Sequence, residues 1–226
     1  MLRFSIESLF HLTHYRHAVI FQDCQYPWEV FNKIHDYLMT IHLGKIGVGI
    51  PSGAHLINPE LISIGKGTLI EPGAYIKGPC IIGDDCCIRQ GAYIRGDVIV
   101  GNGCVIGHDS ELKNSILLNG AKAAHFAYVG DSLLGNEVNL GAGVKLSNVR
   151  MDHAPISIIF EGQRISTGRK KLGAILGDGT QMGCNSVSNP GVITGKNVHC
   201  YPCLNISGYI PENAKIKPSS SPLIHD

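Results

Sequence analysis

Charge is scarce in this chain. Only 16% of its 226 residues are Asp, Glu, Lys or Arg, and 19 basic against 18 acidic side chains leave a net charge of +1. That balance gives no electrostatic basis for binding nucleic acid or a membrane surface, where affinity comes from neutralising phosphates. Aromatic residues are also few, at 7% with a single Trp. No apolar run approaches the roughly 20 residues that a bilayer-spanning helix needs. The opening residues MLRFSIESLFHLTHYRH lack both a long apolar core and a small-residue cleavage site. No signal peptide is therefore expected, and the expected compartment is the cytoplasm. Eight cysteines in that setting are expected as thiols rather than disulfides. Cys200-Tyr201-Pro202-Cys203 has redox-motif spacing but no βαβ surroundings, and it is given neither a redox nor a metal role.

What is abundant is glycine, at 28 residues, and a repeat explains it. Positions 64, 70, 76, 82, 88, 94, 100, 106, 112 and 118 are all Ile, Val or Leu. A strict period of six is neither the 3.6 of a helical stripe nor the two of a flat strand. It fits a short strand and a turn, repeated, with one side chain per repeat pointing into a shared interior. Four residues after each aliphatic comes a second ladder: Thr68, Ala74, Cys80, Cys86, Ala92, Val98, Cys104, Ser110 and Ile116. Mostly small, it suits the corners of a narrow prism. Cys80, Cys86 and Cys104 are read there as small buried hydrophobes rather than metal ligands.

The register slips after Leu118, resumes at Val129, Leu134, Leu140 and Leu146, and returns at Leu176 and Met182 after a polar, basic interruption over 147–173. That interruption is expected as a protruding loop or hairpin. Before the repeats, Trp28, Phe31, Ile34, Leu38 and Ile41 recur at helical steps behind Pro27. They predict a helix over Pro27–Ile41 that caps the open end of the prism or packs on a partner. The organisation expected is an N-terminal helical extension over 1–50, the repeat body over 51–210 and a flexible tail over 211–226.

Three repeats make a coil of 18 residues, so residues 18 apart should stack about 4.8 Å from one another. Lys77, Arg95 and Lys113 then form an outward column of cations. They are either solvated charges or a seat for a phosphate or carboxylate. The adjacent column reads Glu71, Arg89, Gly107 and His125, and a histidine there is a candidate general base.

The run KAAHFAYVGDSLLGNEVNLGAG, within residues 111–148, closely resembles the acetyltransferase domain of the bifunctional N-acetylglucosamine-1-phosphate uridyltransferase/glucosamine-1-phosphate acetyltransferases. The later RISTGRKKLGAILGDGTQMGCN and NPGVITG look more like the archaeal sugar-1-phosphate nucleotidylyltransferase/acetyltransferases. The resemblance covers about residues 60–210. It implies an all-β fold, a left-handed parallel β-helix assembled as a homotrimer, using acetyl-CoA on an amino sugar phosphate with no metal required. By position, His125 corresponds to the catalytic base and Asn148 to the asparagine near the reacting amide. Arg95 and Lys113 correspond to the pair that holds the sugar phosphate, Tyr128 to a substrate-contacting tyrosine, and Glu111 and Asn139 to residues that hold the sugar. For the cofactor, a backbone N–H near Cys184 is the expected oxyanion donor. Arg169, Lys170 and Lys171 are expected to lie near the phosphates of CoA. The chain departs from the family at Ala154, where the resemblance implies a lysine, and no pyrophosphorylase loop occurs in the first 60 residues. A γ-carbonic anhydrase-type metal site, with His108 as a ligand, is disfavoured because Lys113 stands where a second histidine would be needed. A non-catalytic β-helix partner of a sugar nucleotide enzyme, or an acyltransferase with another acceptor, remains the alternative.

Overall fold

The computed structural model describes residues 4–218. Its body is a three-sided parallel β-helix, as the period of six requires, with eight strands in each of three parallel sheets. The chain visits the faces in turn. The first face opens with His55–Ile57, Tyr75–Lys77 and Tyr93–Ile94, and the second with Ile62–Ile64, Cys80–Ile82 and Val98–Val100. The third opens with Leu69–Ile70, Cys87–Ile88 and Val105–His108. The aliphatics from Ile64 to Leu112 point inward, none more than 4% exposed. Cys80, Cys86 and Cys104 share that core. Burial pushes the Cys80 thiol up to about 12, which keeps it a protonated, apolar group.

The slip lies earlier than the sequence suggested. Leu117, not Leu118, stacks inward on Val100 and beneath Leu134. The corner between the first and second faces has lost one residue at Asn114 and another at Asp131, both with left-handed φ, +45° and +48°. The small ladder therefore passes through Ser115, which pairs with Val98, and Ile116 turns outward. Asn and Asp tolerate this backbone region because their short side chains hydrogen-bond locally. The loss of a single residue is invisible to a count of hydrophobic positions.

On the second face the outward residues form an apolar stripe. Ile81, Ile99, Ile116, Leu133, Ile175 and Ile193 are in register and buried. The N-terminal segment covers them. It lies along this side of the prism as a strap, rather than over an end. Phe4 packs on Tyr209 of the last second-face strand. Farther along, Asp178 N–H donates to Leu9 O at 3.0 Å, and Asn136 and Asn119 Nδ2 donate to His11 O and His14 O at 2.9 and 3.0 Å. Trp28, Phe31, Ile34 and Leu38 are buried in the same cluster. The predicted helix is broken at Lys33 into a 3₁₀ turn, Pro27–Asn32, and an α-helix, Ile34–Thr40.

The interruption contains an antiparallel hairpin, Ser157–Phe160 with Gln163–Ser166. The hairpin folds back along its length, with Ile156 and Ile158 buried and Phe160, beside the turn, edge-on to Phe4 at 4.7 Å. Its approach, by contrast, protrudes, and Met151 is fully exposed. Toward the C-terminus, Lys215–Ile216 still pairs with His199–Cys200. The rest of the expected flexible tail, from residue 219, lies outside the described residues.

Candidate active site

The column Lys77, Arg95, Lys113 exists. Ile76, Ile94 and Leu112, the residue before each, are consecutive partners on the first face. Two of its cations are already compensated. Arg95 Nη1 donates to Glu111 Oε1 at 2.6 Å, and Lys113 Nζ donates to Asp131 Oδ2 at 3.1 Å.

Asp131 organises this face, and sequence reasoning missed it. It is 2% exposed and sits at the second shortened corner. Asn114 Nδ2 reaches its Oδ1 at 2.8 Å, and Asn148 Nδ2 its Oδ2 at 2.6 Å. Asn148 Nδ2 also lies 3.3 Å from Tyr128 OH. A buried carboxylate survives only when it is paired and hydrogen-bonded, and three donors supply that here. Gly130 makes the arrangement possible. It pairs with Lys113, and a Cβ there would stand 2.5 Å from Tyr128 OH and 2.8 Å from Asn148 Nδ2. The signal lay in the Gly130-Asp131 dipeptide, a turn that holds a carboxylate.

His125 lies round the next corner. It ends the third-face strand Lys122–His125 and pairs with His108. The expected column through Gly107 is therefore displaced by one residue, and Ala124 follows Gly107 instead. A Cβ at Gly107 would fall on the Ala124 carbonyl oxygen, which is why that position is bare. The His125 imidazole is exposed and has no side-chain hydrogen bond among the described residues. His108, by contrast, lies 3.2 Å from Gln90 O through Nδ1 and 3.3 Å from Asp109 through Nε2. Phe126 turns the corner with φ +52° and packs edge-on to His108 at 5.1 Å. Tyr128 then starts the next first-face strand.

Cys184 stands on the same edge, two coils away. Gly143 N–H donates to His125 O at 3.0 Å, and Asn185 N–H to Ala142 O at 2.8 Å. The Cys184 N–H finds no acceptor among the described residues. A Cβ at Gly141 would stand 2.7 Å from it, so glycine keeps it clear. Asn139 is half-buried on the third face between Lys122 and Gln181.

The basic cluster divides. Lys170 and Lys171 are exposed. Arg169 turns to the strap, where it bonds Asn32 Oδ1 and lies over the Phe31 ring at 5.4 Å. Burial lowers its pKa, while the nearby Asp131 charge opposes that shift. In the loop, Arg150 clamps Asp152 through two bonds of 2.8 and 2.6 Å. Among the described residues no group of three or more His, Cys, Asp or Glu is placed to hold a metal ion, and no helix is long and apolar enough to cross a membrane.

The family described as the GMPPB C-terminal domain matches residues 76–153. A bifunctional sugar-1-phosphate nucleotidylyltransferase/acetyltransferase of Sulfurisphaera tokodaii is 41% identical over 92 residues, covering 41% of this chain and 23% of that protein. The bifunctional protein GlmU of Methanococcus maripaludis is 40% identical over 181 residues, 77% of this chain and 42% of that protein. This chain is similar in sequence to part of the bifunctional sugar-1-phosphate nucleotidylyltransferase/acetyltransferases. It spans less than half the length of these relatives. Among solved structures, the UDP-N-acetylglucosamine acyltransferase of Campylobacter jejuni shares the fold, with a TM-score of 0.53 at 18% identity over 74% of this chain and 68% of that one. The similarity to the Methanococcus maripaludis protein thus extends across most of the β-helix.

Proposed function

We propose that this chain is an acetyl-CoA-dependent N-acetyltransferase acting, in the cytoplasm, on an amino sugar phosphate such as glucosamine 1-phosphate, for synthesis of UDP-N-acetylglucosamine or a related sugar nucleotide. The observation that carries this reading is the corner itself. The uncommitted His125 imidazole and the uncommitted Cys184 N–H share one edge, beside a face bearing Arg95 and Lys113. A base and an oxyanion donor are what acyl transfer from a thioester to an amine demands.

In the proposed reaction the substrate nitrogen bonds to the thioester carbonyl carbon. His125 accepts the ammonium proton, a step worth roughly 10²–10⁴ in rate. The Cys184 N–H donates to the oxyanion. The carbon–sulfur bond breaks, and the CoA thiolate leaves with the proton held by His125. Arg95 and Lys113 orient the phosphate, with Glu111, Tyr128 and Asn139 on the sugar and Asn148 near the forming amide. Lys170 and Lys171 are the cations of the loop free to meet CoA phosphates. His125 lies on the third face and Lys113 on the first. A homotrimer that sets one copy's corner against the next copy's first face would close the site.

Single-turnover acetylation of glucosamine 1-phosphate tests this. His125→Ala should slow the wild-type rate by about 10²-fold or more, and equal rates would remove His125 from the role.

A second reading, a non-catalytic β-helix, is favoured by the satisfied cations. Arg95, Lys113 and Arg150 are each paired with a carboxylate of this chain, and Ala154 replaces the expected lysine. Absence of acetyl-CoA binding by calorimetry would make it the better account.

A further inference from the structure

The strap does not seal the whole second face. At the first coil the outward position is Ser63, in register with Ile81, where five of the next six coils carry Ile and the other Leu. A hydroxymethyl replaces a branched aliphatic, and the strap stands off. The result is a cleft of about 470 Å³ between the strap and the opening coils, away from the His125 corner. Ile41, Leu43 and Ile81 are among the apolar residues that line it.

The walls are aromatic. His17 packs edge-on between Tyr15 and Tyr37, with ring centroids 5.8 Å from each. His17 Nδ1 lies 2.7 Å from Tyr37 OH. Burial, aided by neighbouring Arg16, lowers the His17 pKa to about 4, so this wall is uncharged at neutral pH. Tyr15 OH is buried and has no hydrogen-bond partner among the described residues. An orphaned buried donor costs about 1–3 kcal/mol, and it stands in the wall of this cleft.

The rim is cationic. Arg16 and Lys45 line the mouth, are exposed, and form no ion pair among the described residues. The acid there, Asp84, is engaged through Oδ1 by the Lys66 N–H at 2.9 Å. Two unpaired cations thus stand over a pocket walled by aromatic rings.

We infer that this cleft is a nucleotide-binding site, with the base against the Tyr15–His17–Tyr37 wall and the phosphates on Arg16 and Lys45. The volume lies within the range of small-molecule pockets. Flat rings stack on aromatic side chains, and the phosphates supply the charge that the rim lacks. The site is separate from the proposed acetyl-transfer centre and does not depend on it.

Calorimetric titration of the full chain with UTP and with ATP, both in the presence of saturating CoA, tests this. Saturable binding of at least one, with a Kd below about 1 mM, is expected. Ribose 5-phosphate, which lacks the base, should bind at least about ten-fold more weakly. Arg16→Ala/Lys45→Ala should raise the Kd at least about ten-fold. Ser63→Ile, which continues the stripe into the cleft, should abolish binding while the thermal melt holds or rises. His125→Ala should bind as wild type does. No saturation by either nucleotide, equal binding of ribose 5-phosphate, or binding untouched by both sets of substitutions would overturn the inference.

Discussion

Replacing Asp131 by Asn tests the organisation of the candidate site most directly. The change is nearly isosteric but removes the charge. Lys113 Nζ loses its counter-ion at 3.1 Å. Asn148 Nδ2 and Asn114 Nδ2, at 2.6 and 2.8 Å, keep one carbonyl between them and face an amide N–H₂. Hydrogen bonds to charged groups are worth about 1.5–3 kcal/mol each, and breaking a fully buried ion pair costs about 3–5 kcal/mol. The Lys113 side chain is 26% exposed, so water recovers part of its solvation and the lower end applies. The expected loss is about 2–4 kcal/mol. For a chain of this size each kcal/mol is about 2–4 °C, which predicts a melting temperature lower by roughly 4–16 °C by scanning calorimetry. Lys113→Met in the Asp131→Asn background should cost much less than Lys113→Met alone, because the pair acts as a unit. A shift under about 1 °C for Asp131→Asn, or strict additivity of the two changes, would refute the claim that this carboxylate holds the face together.

Gly130→Ala places a Cβ against Tyr128 OH and Asn148 Nδ2. It should depress acetylation at least about ten-fold while costing no more than about 1–3 kcal/mol, as read by single-turnover kinetics beside a urea melt. Trp28→Ala removes a side chain that is 2% exposed from the strap interface and should cost about 3–5 kcal/mol in chemical denaturation. The buried, neutral His17 makes stability depend on pH. Its folded pKa, about 4, lies below the ordinary imidazole value of 6.5, so between these values the unfolded chain binds the proton and the folded chain does not. Stability therefore falls as pH drops from about 6.5 to 4. With partial exposure discounted, roughly 1–2 kcal/mol is at stake, and His17→Phe should flatten that part of the pH–melting curve.

The prism was legible because its cause is periodic. Ile64 through Leu112 each obey the same step, and small residues fill the corners between them. What escaped was aperiodic. Asn114 and Asp131 shorten their corners by one residue each, and the first of these moved the inward position from Leu118 to Leu117 and set His125 on His108 rather than on Gly107. The strap escaped for a different reason. Ile81, Ile99, Ile116, Leu133, Ile175 and Ile193 read as second hydrophobics beside each inward residue, and only their mutual register shows one continuous stripe. Trp28, Phe31, Ile34 and Leu38 were correctly read as an apolar face, but their target is a sheet side assembled from segments more than a hundred residues apart. At the site, Lys113 and Arg95 were found by spacing, while Asp131, the carboxylate that holds Lys113, was not, since it belongs to no ladder.

Solenoids gain stability coil by coil, each new turn seated on the last. The strap breaks that order. Phe4 rests on Tyr209, so this segment finds its final berth only once the coil that carries Tyr209 has formed. Until then its aromatic residues lie exposed, an adhesive stretch that a molecular chaperone would have reason to shield.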